Sequence, residues 1–135
     1  MTVEWADKKA PDLDAFNQLA YAAFESLPRE FRSQCDGVII RVAEFADDEI
    51  LDQMGINDAF ELTGLYEGVD LTQKSIDDIP AGPDQIHLYR QPILAEWIDN
   101  GVVTLGELIR HVLTHEIGHH FGLSDDDMDR IEKSP

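Results

Sequence analysis

At 135 residues, with 43% apolar side chains, the chain has room for one domain spanning 1–135 around one hydrophobic core, and disorder is excluded as its whole description. Its formal charge of −18, from 28 acidic against 10 basic residues, repels a phosphate backbone and sets ordinary nucleic-acid binding aside. No apolar run approaches the roughly 18 residues that cross a bilayer, the opening MTVEWADKKAPDLD carries no signal-peptide core, and the single Cys35 has no disulfide partner, so a cytoplasmic protein without a membrane role is expected.

In chain order, residues 13–27 place Leu13, Phe16, Leu19, Ala20, Ala23, Phe24 and Leu27 at the 3.6-residue period of an amphipathic helix, with Pro28 beyond it. The β-branched run GVIIRVAEF at 37–45 predicts a largely buried strand. Cys35, just before it, has no reactive motif around it and reads as a small buried hydrophobe. A short helix over 47–54 is stopped by Gly55. Residues 61–68, ELTGLYEG, predict a second strand in which Gly64 marks an edge or a bulge. A loop at 76–85 is punctuated by Pro80, Gly82 and Pro83, and QIHLYR at 85–90 forms a third strand. A helix over 93–100 closes at Gly101.

The last long element has a visible start. Thr104 with Glu107 three residues on is a capping box, and Leu105, Leu108, Ile109, Val112 and Leu113 give the helix an apolar side. Gly122 sits where such a helix ends, and Ser124 with Asp127 opens a final short helix running to about Lys133. The fold class is therefore α+β.

The end of the last long helix and the residues after it read HEIGHHFGLSD, from His115 to Asp125. His115 and His119 are four residues apart, a rise of about 6 Å on one helical face, so both imidazoles can meet one ion with Zn–N bonds of about 2 Å. Glu116 is rotated about 100° from His115, which favours contact with a water on the ion over direct ligation. That arrangement suits hydrolysis: two neutral nitrogens hold the ion, and a carboxylate takes the proton from the water it polarises. A third ligand must come from beyond the helix, and a glycine break at Gly122 lets the chain turn back with Asp125 three residues later. An aspartate there leaves a zinc site with a net charge near +1, so its water is expected to be less acidic than the pKa of about 7 found with three neutral ligands.

The other candidates carry less. His111 stands a turn before His115 and reads either as a substrate contact or as a partly exposed helix residue. His120 reads as packing behind the ligands, and His87 as a strand residue. Tyr66 and Tyr89 read as oxyanion donors or, more simply, as amphipathic strand residues.

The segments LTGLYEGV at 62–69, QIHLYRQPIL at 85–94 and VLTHEIGHHFGLSDDDM at 112–128 resemble the small bacterial zincin-like metallopeptidase family, and the resemblance covers nearly the whole chain. It implies a minimal zincin fold: a small mixed β-sheet, a backing helix, and an active-site helix below the sheet edge. It implies His115, His119 and Asp125 as zinc ligands and Glu116 as general base. The motif HExxHxxGxxD is similar to that of the metzincins, which continue into a C-terminal subdomain that walls the substrate pocket. Only ten residues follow Asp125, so that wall is expected from the N-terminal helix, from a second subunit, or not at all.

Three function classes follow. The first is a zinc-dependent peptidase acting on an extended peptide laid along the strand at Leu62–Glu67. The second is a metal-dependent endoribonuclease with a similar ligand spacing, which the glutamate of HExxH and the acidic charge both disfavour. The third is non-catalytic: a zinc-stabilised interaction module that has no need of Glu116, or an acidic mimic of nucleic acid that has no need of the motif. The acidic surface by itself reads as a solubilising face.

Overall fold

The computed structural model describes residues 3–35, 37–68 and 84–120. Helix α1 (Leu13–Glu25) starts where Asp12 accepts a hydrogen bond from the Ala15 amide at 2.9 Å, and it buries Phe16, Ala20 and Ala23. It ends two residues before the apolar period does. Ser26 donates its hydroxyl to the Ala23 carbonyl at 2.6 Å, and Pro28 opens a second helix, α2 (Arg29–Ser33), which the sequence pattern does not announce. With five residues and none of them buried, α2 has no apolar stripe to read.

Strand β1 (Ile39–Ala43) corrects the expectation of a largely buried strand, because none of its residues is fully buried and Ile39 and Arg41 are exposed. The sheet order explains this. Among the described residues β3 (Gln85–Tyr89) lies in the middle, parallel to β1 and antiparallel to β2 (Gly64–Glu67), so β1 is an edge. The buried strand is β3, with Ile86, Leu88 and Tyr89 all inside. Cys35, just ahead of β1, is buried as expected, and burial pushes its thiol pKa up to about 11.

Between β1 and β2 lie α3 (Asp48–Met54), ended by Gly55 in the left-handed region at φ 68°, and a 3-10 turn, Ala59–Glu61, too short to carry a periodic signal. Helix α4 (Arg90–Asn100) follows β3 without a loop and begins three residues earlier than its apolar pattern suggests. Pro92 falls in its first turn, where no intrahelical donor is missed. Arg90 fixes this corner by donating to the Pro11 carbonyl at 2.6 Å and pairing with Glu44 at 2.9 Å. Helix α5 (Leu105–His120) has the expected cap, with the Glu107 amide donating to the Thr104 hydroxyl at 3.1 Å.

The two faces of the sheet bury different clusters. Ile86 and Leu88 point to α1, α4 and α5, where Phe16, Ile93, Leu105, Ile109, Val112, Leu113 and Ile117 form the main core. Tyr89 turns to the other face and packs with Ala46, Leu51 and Leu62. The result is the expected α+β architecture: a small mixed sheet, α1 behind it, and α5 running beneath β2 and β3. No helix among the described residues is long and apolar enough to cross a membrane. Of the expected loop at 76–85, residues 76–83 lie outside the described residues and Gln85 already belongs to β3; the stop at Gly122 and the final short helix also lie outside the described residues.

Candidate metal centre

Helix α5 is held from both ends of its apolar stripe, since Leu105, Leu108, Ile109, Val112, Leu113 and Ile117 are all buried. That packing fixes the rotation of the helix, and therefore the direction in which its histidines leave it. His115 is half-buried and His119 exposed, with ring centroids 5.0 Å apart and planes at 82°. The four-residue spacing thus brings the two rings together on one face, as the sequence predicts.

Glu116 is buried, at 8% exposure, and joins them. One ligand atom from each of His115, Glu116 and His119 lies within 4.8 Å of the others. A rotation of 100° about the helix axis separates Cβ atoms, but the glutamate side chain is long enough to curl back toward the histidines. The carboxylate is therefore nearer the imidazole nitrogens than the helical rotation alone implies. Around an ion with bonds of about 2 Å, tetrahedral donors sit about 3.3 Å apart, so a separation within 4.8 Å is close to, and somewhat wider than, a metal-bound spacing. Two imidazoles and a carboxylate are the donor chemistry that suits a zinc ion, with the carboxylate able either to ligate or to reach a water.

Glu116 is buried because β2 lies directly on it. A Cβ built on Gly64 falls 2.8 Å from Val112 Cγ1, 3.2 Å from the His87 carbonyl oxygen and 3.3 Å from Glu116 Cγ. The strand backbone rests on α5 between two residues one helical turn apart. The sequence predicts an edge or a bulge at Gly64. The edge is present among the described residues, with Gly64 in regular register opposite Leu88, but the reason for the glycine is this close approach. A glycine inside a short strand was the available signal. What it faces was not in the sequence.

The remaining candidates disperse. Asp125 lies outside the described residues, as does the side chain of His120. His111 is exposed on α5. His87 pairs in register with Leu65 and turns to the sheet face away from α5, where its Nε2 is 3.5 Å from a Glu67 oxygen and its ring stacks on Tyr89 at 6.1 Å. The Tyr66 hydroxyl donates to Asp84 at 3.0 Å. Tyr89 is buried in the second core, and its pKa is pushed up to about 12, first by burial and then by the carboxylates of Glu67, Asp47 and Glu116. The Tyr66 hydroxyl is thus taken up by Asp84, while the buried Tyr89 hydroxyl has no hydrogen-bond partner among the described residues.

A family model described as zincin-like metallopeptidase matches residues 35–134, a span that takes in the sheet, the 3-10 turn, α3, α4 and α5. No curated protein matches the chain.

Proposed function

Since the chain belongs to the zincin-like metallopeptidase family, we propose that it is a zinc-dependent peptidase in which Glu116 is the general base. The observation that carries this reading is the grouping of His115, Glu116 and His119 on one turn of α5, directly beneath the edge strand β2. A zinc ion bound there would supply a Lewis acid to polarise a water and a substrate carbonyl. His115 and His119 are the residues that would hold it, with Asp125 as the third ligand.

The chain's own residues do the rest. The Glu116 carboxylate takes a proton from the attacking water and returns one to the leaving amine, and its burial keeps it close to the imidazoles rather than solvated at a distance. Beyond β3, the other edge of β2 has no strand partner among the described residues. A substrate in extended form that pairs with that edge would be held by main-chain hydrogen bonds beside Gly64, at the level of Glu116. The sheet supplies direction and the helix supplies chemistry.

A burden of 28 carboxylates against 10 cations supports a peptide rather than a nucleic-acid substrate, and the endoribonuclease reading gains nothing from the described site. The test is metal analysis and peptide-library cleavage on one purified sample, beside His119→Ala. About one zinc per chain and cleavage in the parent, both lost in the variant, is the expected result. Zinc without cleavage would replace the peptidase with a zinc-stabilised interaction module, and absence of zinc from the folded parent would overturn both.

A further inference from the structure

On the reading that Glu116 is the base, we propose that Gly64 is its positioning residue: the bare backbone of β2 seats Glu116 Cγ and sets the height of the strand above the carboxylate. Gly64 does not owe its place to backbone freedom, because its φ is not positive, unlike those of Gly37, Gly55, Gly68 and Gly101. Space is the remaining reason. The missing Cβ would meet Val112 on one side and Glu116 on the other, with the carbonyl of the central strand as a third wall.

These three neighbours differ in what they can yield. The His87 carbonyl belongs to the β3 backbone and is tied into the sheet. Val112 is β-branched and buried, and in a helix it has one strongly favoured rotamer, so it cannot swing aside without moving α5. Glu116 is unbranched at Cβ, and turning about its Cα–Cβ bond moves Cγ without moving the helix. A methyl group at position 64 therefore drives either β2 away from α5 or Glu116 Cγ away from β2. Both change the distance between the strand edge and the carboxylate. A shift of a few tenths of an ångström at Cγ grows along the remaining bonds to the carboxylate oxygens, which must keep their place beside His115 and His119. Misplacement by about 1 Å costs on the order of a hundredfold in rate.

The test uses Gly64→Ala and the double variant Gly64→Ala/Val112→Ala. Removing the Val112 methyls relieves the tightest contact, at 2.8 Å, and leaves the 3.3 Å contact with Glu116 Cγ in place. Gly64→Ala is expected to keep about one metal per chain and to lose activity about tenfold to a hundredfold in kcat, with KM changed far less. The double variant is expected to hold the fold by circular dichroism while its kcat stays low. Full recovery of kcat in the double variant would make Gly64 a packing residue only, and unchanged kcat in Gly64→Ala would also overturn the proposal. A readout independent of turnover accompanies these. Cobalt(II) loaded in place of zinc has visible bands sensitive to the groups around it, and both variants are expected to alter that spectrum relative to the parent. An unaltered cobalt spectrum in both variants would sink the role of Gly64. A parent that binds metal and cleaves nothing would sink the peptidase reading, and the cobalt comparison would still decide for or against Gly64.

Discussion

Replacing Glu116 by glutamine separates proton transfer from every other duty of that side chain. The glutamine has the same length and shape, so the contacts beneath Gly64 and beside Val112 persist, and one oxygen remains to accept a hydrogen bond. The buried site loses a carboxylate charge, which carries a desolvation cost, so the fold has no reason to weaken. The metal-free variant should melt within about 4 °C of the parent, the shift that about 1 kcal/mol produces in a domain of this size. What disappears is the ability to take a proton at neutral pH. General-base catalysis contributes about 10²–10⁴-fold, or about 2.7–5.4 kcal/mol of barrier at about 1.36 kcal/mol per tenfold. The assay is steady-state cleavage of a peptide found by library screening, run beside zinc content on the same samples. Expected are unchanged zinc and a rate at least about a hundredfold lower. The result that refutes the reasoning is loss of zinc from Glu116→Gln, because the carboxylate lies within 4.8 Å of both histidine donor atoms and would then be holding the ion rather than serving its water. Equal rates in variant and parent would refute it too, by assigning the cleavage to another protein in the sample.

Three further outcomes are expected. His115→Ala and Asp125→Ala should each release most of the zinc while circular dichroism still reports a folded chain; unchanged zinc in either removes that residue from the ligand set. Fluorescence polarisation with RNA and DNA at physiological salt should show no micromolar binding, since no basic cluster offsets the acidic surface, and micromolar affinity would revive the nuclease reading. Stability should fall as pH rises above about 9. Cys35 titrates at about 11 in the fold against 9.0 ordinarily, so between those values the unfolded chain has released a proton that the folded chain retains, while below pH 9 both keep it and the thiol contributes no slope. The slope from this group is at most about 1.4 kcal/mol per pH unit, and Cys35→Ala should flatten urea-derived stability between pH 9 and 10; an equally steep fall in the variant would rule the thiol out as its source.

What the sequence determined by itself is local. A cap at Thr104, an apolar stripe from Leu105 to Leu113 and two histidines four residues apart depend on one helix, and α5 realises all of them. Gly55 and Gly101 end helices in left-handed conformations for a reason contained in their own φ angles. The tertiary structure decided what depends on residues far apart in the chain. A β-branched run states that a strand exists, not whether it lies at the centre of a sheet, and among the described residues the order β1-β3-β2 left Ile39–Ala43 at an edge and buried Ile86, Leu88 and Tyr89 of the central strand instead. The helix α2 and the 3-10 turn are too short for their periodicity to show, and the start of α4 at Arg90 is set partly by partners at Pro11 and Glu44. Gly64 shows the division within one residue. A glycine in a strand signals that something comes close, but the neighbours, Val112 and Glu116, are about fifty residues away, and only the docking of sheet on helix names them.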